Sequence, residues 1–190
     1  MNNKKGQKST RMQNGAYSAK ECAYLAVFVA LLLATQLALA VLPGVEVVTV
    51  LFVSYAFVFG AKRGVLAATA FSLLRQLVFG FSPTVLILYL VYFNALAAVF
   101  GAVGKRMKVP VIKNLPWLVG LACVCTACFS LLDNVLTPLW YGYSWRAFQV
   151  YFTASLTVMV SQVVCTAVSV TILFFPLLRI FTLINKWLHR

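Results

Sequence analysis

Acidic side chains are nearly missing from this chain: of its 190 residues only Glu21, Glu46 and Asp133 carry one, against sixteen Lys and Arg. No two of the three fall within one short motif, which excludes the carboxylate clusters that metal-dependent lipid transferases need. Histidine occurs once, as His189 near the end of the chain, which argues against His-based catalysis. A Gly-rich phosphate loop is also missing, so any energy drawn from ATP has to come from another chain. No internal repeat is long enough for an inverted-repeat transporter that works alone. Cysteine is present five times, but Cys123, Cys125 and Cys128 cluster in an apolar stretch without a fourth ligand. They are expected to be small packing residues, with no disulfide framework and no metal site. No enzymatic activity and no cofactor are expected.

What is abundant is apolar: 63% of the residues are hydrophobic and 10% charged. Such runs are too long and too many for a soluble core. The chain therefore reads as an all-α integral membrane protein of one domain, with six transmembrane helices at Cys22–Val41, Val45–Phe59, Gly64–Phe79, Pro83–Val103, Pro116–Leu136 and Phe148–Phe175. The second and third are short for a span. The basic residues supply an independent check. Lys4, Lys5, Lys8, Arg11 and Lys20 precede the first span, and Lys62 and Arg63 lie between the second and third. Lys105, Arg106, Lys108 and Lys113 separate the fourth and fifth, and Arg179, Lys186 and Arg190 follow the sixth. With six spans all of these fall on one side, leaving Arg146 on the other and Arg75 inside a span. By the positive-inside rule both termini are then cytoplasmic. A basic surface facing anionic lipid accounts for the net charge of +13, and no nucleic-acid partner is implied.

Residues 1–18 form a basic polar tail expected to be disordered, followed by a six-helix membrane domain over 19–190. Ala38-Leu39-Ala40 imitates a signal-peptide cleavage site, but the apolar run before it is longer than a signal peptide's, and the first helix is expected to be retained. Ala26, Ala30, Ala34 and Ala38 make a shallow stripe on that helix, suited to close approach of a partner helix. Gln36 lies on the opposite side, facing its own bundle. Leu42-Pro43-Gly44 breaks the helix, and Glu46 opens the second span. Phe59-Gly-Ala-Lys-Arg-Gly64 reads as a tight turn with a glycine at each end. Arg75, inside the third span near its outer end, either faces a cavity or snorkels. An ion pair between it and Asp133, at similar depth, would account for both. Ser82-Pro83 starts the fourth span, with Asn94, Ala98 and Gly101 on its expected inward face and Tyr89 and Phe93 on another. The segment Thr137–Arg146 is an outer loop dense in aromatics, including Trp145. The sixth span carries Tyr151, Ser155, Gln162, Cys165 and Ser169 on one polar stripe. After Pro176 an amphipathic cytoplasmic tail is expected. Depth and facing select Gln36, Glu46, Arg75, Asn94, Asp133, Trp145 and Gln162 as candidate ligand-binding residues.

Six spans, the alanine ladder, the Leu-Pro-Gly-Val-Glu46 turn and the Phe59-Gly-x-x-x-Gly64 turn resemble the substrate-binding S component of an energy-coupling factor (ECF) vitamin transporter. The turn and the aromatic last outer loop look most like its cobalamin-type group. The resemblance implies a small vitamin or related micronutrient bound on the outer side of a bacterial cytoplasmic membrane. It implies docking of the Ala26/Ala30/Ala34/Ala38 face on a transmembrane coupling subunit driven by two ATPase subunits. Two other readings stay open at this point: a membrane scaffold similar to the rod-shape MreD family, and a stand-alone small transporter.

Overall fold

The computed structural model describes residues 18–42, 47–107 and 111–188, without the side chains of 111 and 112, and these are all helical or in short connections. Among the described residues six helices follow one another: α1 (Ala19–Leu39), α2 (Val48–Phe59), α3 (Ala61–Phe79), α4 (Pro83–Arg106), α5 (Leu115–Trp140) and α6 (Trp145–Leu188). A 3₁₀ turn at Val111–Asn114 leads into α5. Four of the six, α1, α4, α5 and α6, are long and apolar enough to cross a membrane. Apolar side chains such as Val27, Val91, Val150 and Ile172 point outward along these helices, as lipid-facing residues of a multi-pass membrane protein do.

At 12 residues, α2 rises only about 18 Å, short of the ~30 Å hydrocarbon thickness. It is not a lipid-facing span. Every residue from Val48 to Ala56 is buried, because α1, α3, α4 and α6 wall it in. A helix apolar all round is suited to such a central position. Its rings organise the core: Phe52 lies against Phe71, Phe93 and Phe28, while Tyr55 stacks on Phe28 at 4.0 Å and on Phe59 at 4.6 Å.

The turn after α2 uses a single residue. Gly60 has φ +83°, a conformation that disfavours side chains, and α3 begins at once with Ala61, so Lys62, Arg63 and Gly64 are helical rather than part of the turn. That turn sits directly on α4. A Cβ at Gly101 would fall 2.2 Å from the Ala61 nitrogen, and one at Gly104 2.2 Å from the Phe57 carbonyl oxygen. The close small-residue packing in this protein is therefore at α2–α3–α4, where Gly64 also abuts Ala97 and Ala56. On α4 the inward face is the aromatic one: Tyr92 and Phe93 are buried, whereas Ala98 is exposed and Asn94 half-buried.

Two helices run further than their sequence suggests. α5 continues through Pro138 to Trp140, and α6 passes Pro176 to Leu188, giving 44 residues. In a membrane bundle, prolines are tolerated in helices because neighbouring groups re-satisfy the freed backbone. The segment after Pro176 is accordingly not a detached tail. Phe181 is buried against Phe28, Tyr55 and Phe59. The aromatic connection shrinks from the expected loop to residues 141–144 with Gly142 at φ +62°, and Trp140 and Trp145 become helix ends.

The basic ends converge. Glu21 of α1 pairs with Arg63 of α3 and also accepts from the backbone N–H of its N-cap Ser18 at 3.1 Å. Ser18 thus belongs to the first helix rather than to the tail. Lys20 lies 5.3 Å over the Trp187 ring, and Lys105 is the nearest neighbour to Gly60. The start of α1, the α2–α3 turn, the end of α4 and the end of α6 thus occupy one end of the bundle.

Candidate functional site: a cavity at the other end

Away from the basic end, where α1 finishes and α2 begins, the bundle leaves a cavity of about 170 Å³. Leu39, Ala40 and Leu42 from α1 and the stretch after it, with Val47 and Val48, form its rim. Tyr89 and Phe93 of α4, Phe129 of α5, Gln36 of α1 and Gln162 of α6 line the rest. Five of the six helices contribute, since α2 is too short to fill this level. Residues 43–46, which include the candidate Glu46, lie outside the described residues.

Each amide in the cavity is held by a neighbour. Gln36 Nε2 donates to the Tyr89 hydroxyl at 2.8 Å, while its Oε1 is buried without a partner. Gln162 Oε1 accepts from Ser130 Oγ at 2.7 Å. Fixing one end of an amide sets the direction of the other; Gln36 Oε1 is itself buried behind the cavity surface, so a small turn of the amide is needed to present it. An unpaired buried carbonyl costs about 1–3 kcal/mol, so Gln36 Oε1 is a standing demand for a donor.

Arg75 sits behind this wall. Its guanidinium lies 4.4 Å over the Tyr89 ring and 4.8 Å over Phe79, and its Nε is buried without a hydrogen bond. The expected pair with Asp133 does not form; among the described residues the ion pair is Arg63–Glu21. Asp133 instead accepts from Thr137 at 2.7 Å on its own helix. Two aromatic faces thus take the place of a carboxylate in stabilising the cation.

Of the candidates, then, Gln36 and Gln162 come together, with Arg75 one ring behind them. Asn94 accepts from Thr69 of α3 at 3.3 Å, away from the cavity lining. Trp145 opens α6, exposed and stacked on Phe148. Beside Asp133 it is Asn134 that turns into the buried stripe of α5. The aromatic wall of Tyr89, Phe93 and Phe129 was missed as a site. Tyr89 and Phe93 were visible four apart on one helical face, but nothing in the sequence marks Phe129. Comparison with protein-family models, with curated proteins and with solved structures finds no match to this chain.

Below the cavity a line of hydroxyls crosses four helices: Thr49 to Tyr92 at 3.5 Å, Tyr92 to Thr126 at 3.4 Å and Thr126 to Thr166 at 3.2 Å. These bonds close the floor with polar groups that satisfy one another. Among the described residues no group of His, Cys, Asp or Glu is assembled that could hold a metal ion.

Proposed function

We propose that this protein is a ligand-capturing membrane subunit of the ECF S-component type, binding a small micronutrient in the end cavity and delivering it through a separate coupling subunit with two ATPase subunits. The observation that carries the reading is the cavity itself: two oriented glutamines and three rings meet where five helices leave space, with an unpaired acceptor turned to the interior. A shape-maintaining scaffold has no use for such a chamber. On this reading both termini and the basic end face the cytoplasm of a bacterium, and the cavity opens outward.

Support for a docking role comes from α1. Ala26, Ala30, Ala34 and Ala38 are all exposed, facing away from the rest of the chain, while Phe28, Val29 and Leu32 pack inward. The size of the cavity narrows the ligand. Drug-sized molecules occupy clefts of ~300–1,000 Å³, and a cobalamin-type molecule is larger than these, so a compact ligand suits this cavity better.

The reading is tested by native mass spectrometry of the protein purified from rich medium, alongside ligand binding and ATP-driven uptake for Ala30→Trp and Ala34→Trp. The expected result is a bound small molecule, binding retained in both variants, and uptake lost. Absence of any ligand sinks the reading in favour of a scaffold, and uptake in liposomes without an ATPase favours a self-sufficient transporter.

A further inference from the structure

On the flank of the bundle, between α4 and α5, lies a second space of about 180 Å³, lined by Val91, Ala95, Leu96, Cys125, Cys128 and Leu132 among others. Phe129 belongs to its wall as well as to that of the end cavity. The ring stands 4.3 Å from Tyr92 and 5.9 Å from Tyr89, centroid to centroid, with the polar chamber on one side and the apolar groove on the other.

We propose that cavity and groove are two compartments of one site, divided by Phe129 as a movable partition, and that this site takes an uncharged amphipathic molecule. Its hydrogen-bonding head sits against Gln36 and Gln162, and its apolar chain passes Phe129 into the groove. The proposal rests on the reading of the end cavity as a ligand site.

Four observations carry it. Charge comes first: no described residue lining either compartment is charged, and the nearby Arg75 is already engaged by two rings. An ionised ligand would lose its water with nothing to replace it. The head must bring a donor, because Gln36 Nε2 is committed to Tyr89 and its Oε1 is the buried group left over. A hydroxyl or an N–H meets that need. The tail must be apolar, since the groove presents only hydrocarbon, ring and thiol surfaces apart from the Tyr92 hydroxyl, which is turned to Thr49 and Thr126. Size agrees as well: each compartment alone is small, whereas joined they reach the lower end of the ~300–1,000 Å³ range of ligand clefts. Moving the partition asks for a rotamer change that takes the Phe129 ring off Tyr92 and Tyr89, at a joint where the hydrogen bond between Tyr92 of α4 and Thr126 of α5 is a long 3.4 Å.

The test uses the full chain in phosphatidylcholine nanodiscs and a neutral eight-carbon alcohol carrying a photoactivatable diazirine on its chain, with adducts mapped by peptide mass spectrometry. Expected are saturable adducts both in the cavity, at Val48 and Phe93, and in the groove, at Val99 and Leu132, displaced by excess octanol but not by octane. Gln36→Leu is expected to lower both sets about tenfold, the loss of one buried hydrogen bond. Phe129→Trp should lower the ratio of groove to cavity adducts by about fivefold, and Phe129→Ala should raise that ratio, so the two variants move in opposite directions. Groove adducts that never saturate and ignore Gln36→Leu and both Phe129 variants would mark a lipid-filled crease. That outcome overturns the proposal and leaves the cavity reading standing. Absence of saturable cavity adducts overturns both.

Discussion

Two halves of this bundle are held together by different physics. Around α2, rings interlock: Phe28, Phe52, Tyr55, Phe71, Phe93 and Phe181 are buried to within a few per cent and touch one another in stacked and edge-on pairs. Between α5 and α6 the contact is a seam of small polar groups instead. Thr126 meets Thr166, Ser130 meets Gln162, and Cys123 Sγ reaches the Val163 carbonyl at 3.8 Å. All five buried residues of α6 lie at or beyond Thr166, so its first half leans on α5 and little else. Lipid is as apolar as a phenylalanine, so a ring core in a membrane is won by shape and dispersion, whereas a hydroxyl seam is won by direction. Shape complementarity resists any displacement. A few directional bonds set register yet yield cheaply, and the cavity lies where the two kinds of contact meet.

The comparison can be broken hardest at the rings. Phe52→Ala empties a site walled by Phe28, Phe71 and Phe93 and is expected to cost about 3–5 kcal/mol, read as loss of monodisperse protein and a lowered unfolding midpoint in detergent. Next comes Gly101→Ala, whose methyl would press on the Ala61 backbone; about 1–3 kcal/mol is expected, with the α2–α3 turn lifted from α4. If Gly101→Ala is silent, the turn is not the rigid element described above.

The seam should respond far less. Thr126→Val deletes a hydroxyl linking α4, α5 and α6, and about 0.6 kcal/mol is expected from measured interhelical hydrogen bonds in membranes. The more telling readout is maleimide labelling of Cys123 and Cys125, which should speed up while the unfolding midpoint barely moves. A cost as large as that of Phe52→Ala would erase the distinction between the halves. The smallest effect is expected at the basic end. Glu21→Gln removes the partner of Arg63, a partly exposed pair worth about 1 kcal/mol or less, and the effect should shrink further in high salt.

Much of the helix plan was legible because it follows from composition and breakers. Pro83, Gly60 and Gly80 mark boundaries, and the helix ends agree with the apolar runs to within a few residues in α1, α2 and α3. The gathering of Lys20, Arg63 and Lys105 near one end was legible from charge alone. What was not legible is which apolar surface meets protein and which meets lipid. Val48–Phe59 and Ala19–Leu39 are both apolar runs, yet one is enclosed and the other is half bare. For the same reason the alanine ladder drew notice while Gly101 and Gly104, which take the closest backbone contacts, did not. Of the cavity lining, the two glutamines were legible because a polar group in an apolar helix needs a partner. Phe129 was not, since a ring among rings carries no signal. Arg75 has the faces of Tyr89 and Phe79 in place of its expected carboxylate, a partner that a charge-pairing argument does not look for.

The meeting of Lys20 with Trp187 makes the described chain very nearly a closed ring, with start and finish side by side. A short flexible linker joining the two ends would need to span little distance, and the four-residue connection around Gly142 is exposed and unencumbered enough to be cut instead. Such a permutant would begin at α6 and finish with α5, placing the two helices of the seam on either side of the aromatic core in the order of synthesis. The hairpin α5–α6 would no longer be assembled as a sequential pair, so the seam would have to be found by two helices inserted at opposite ends of synthesis.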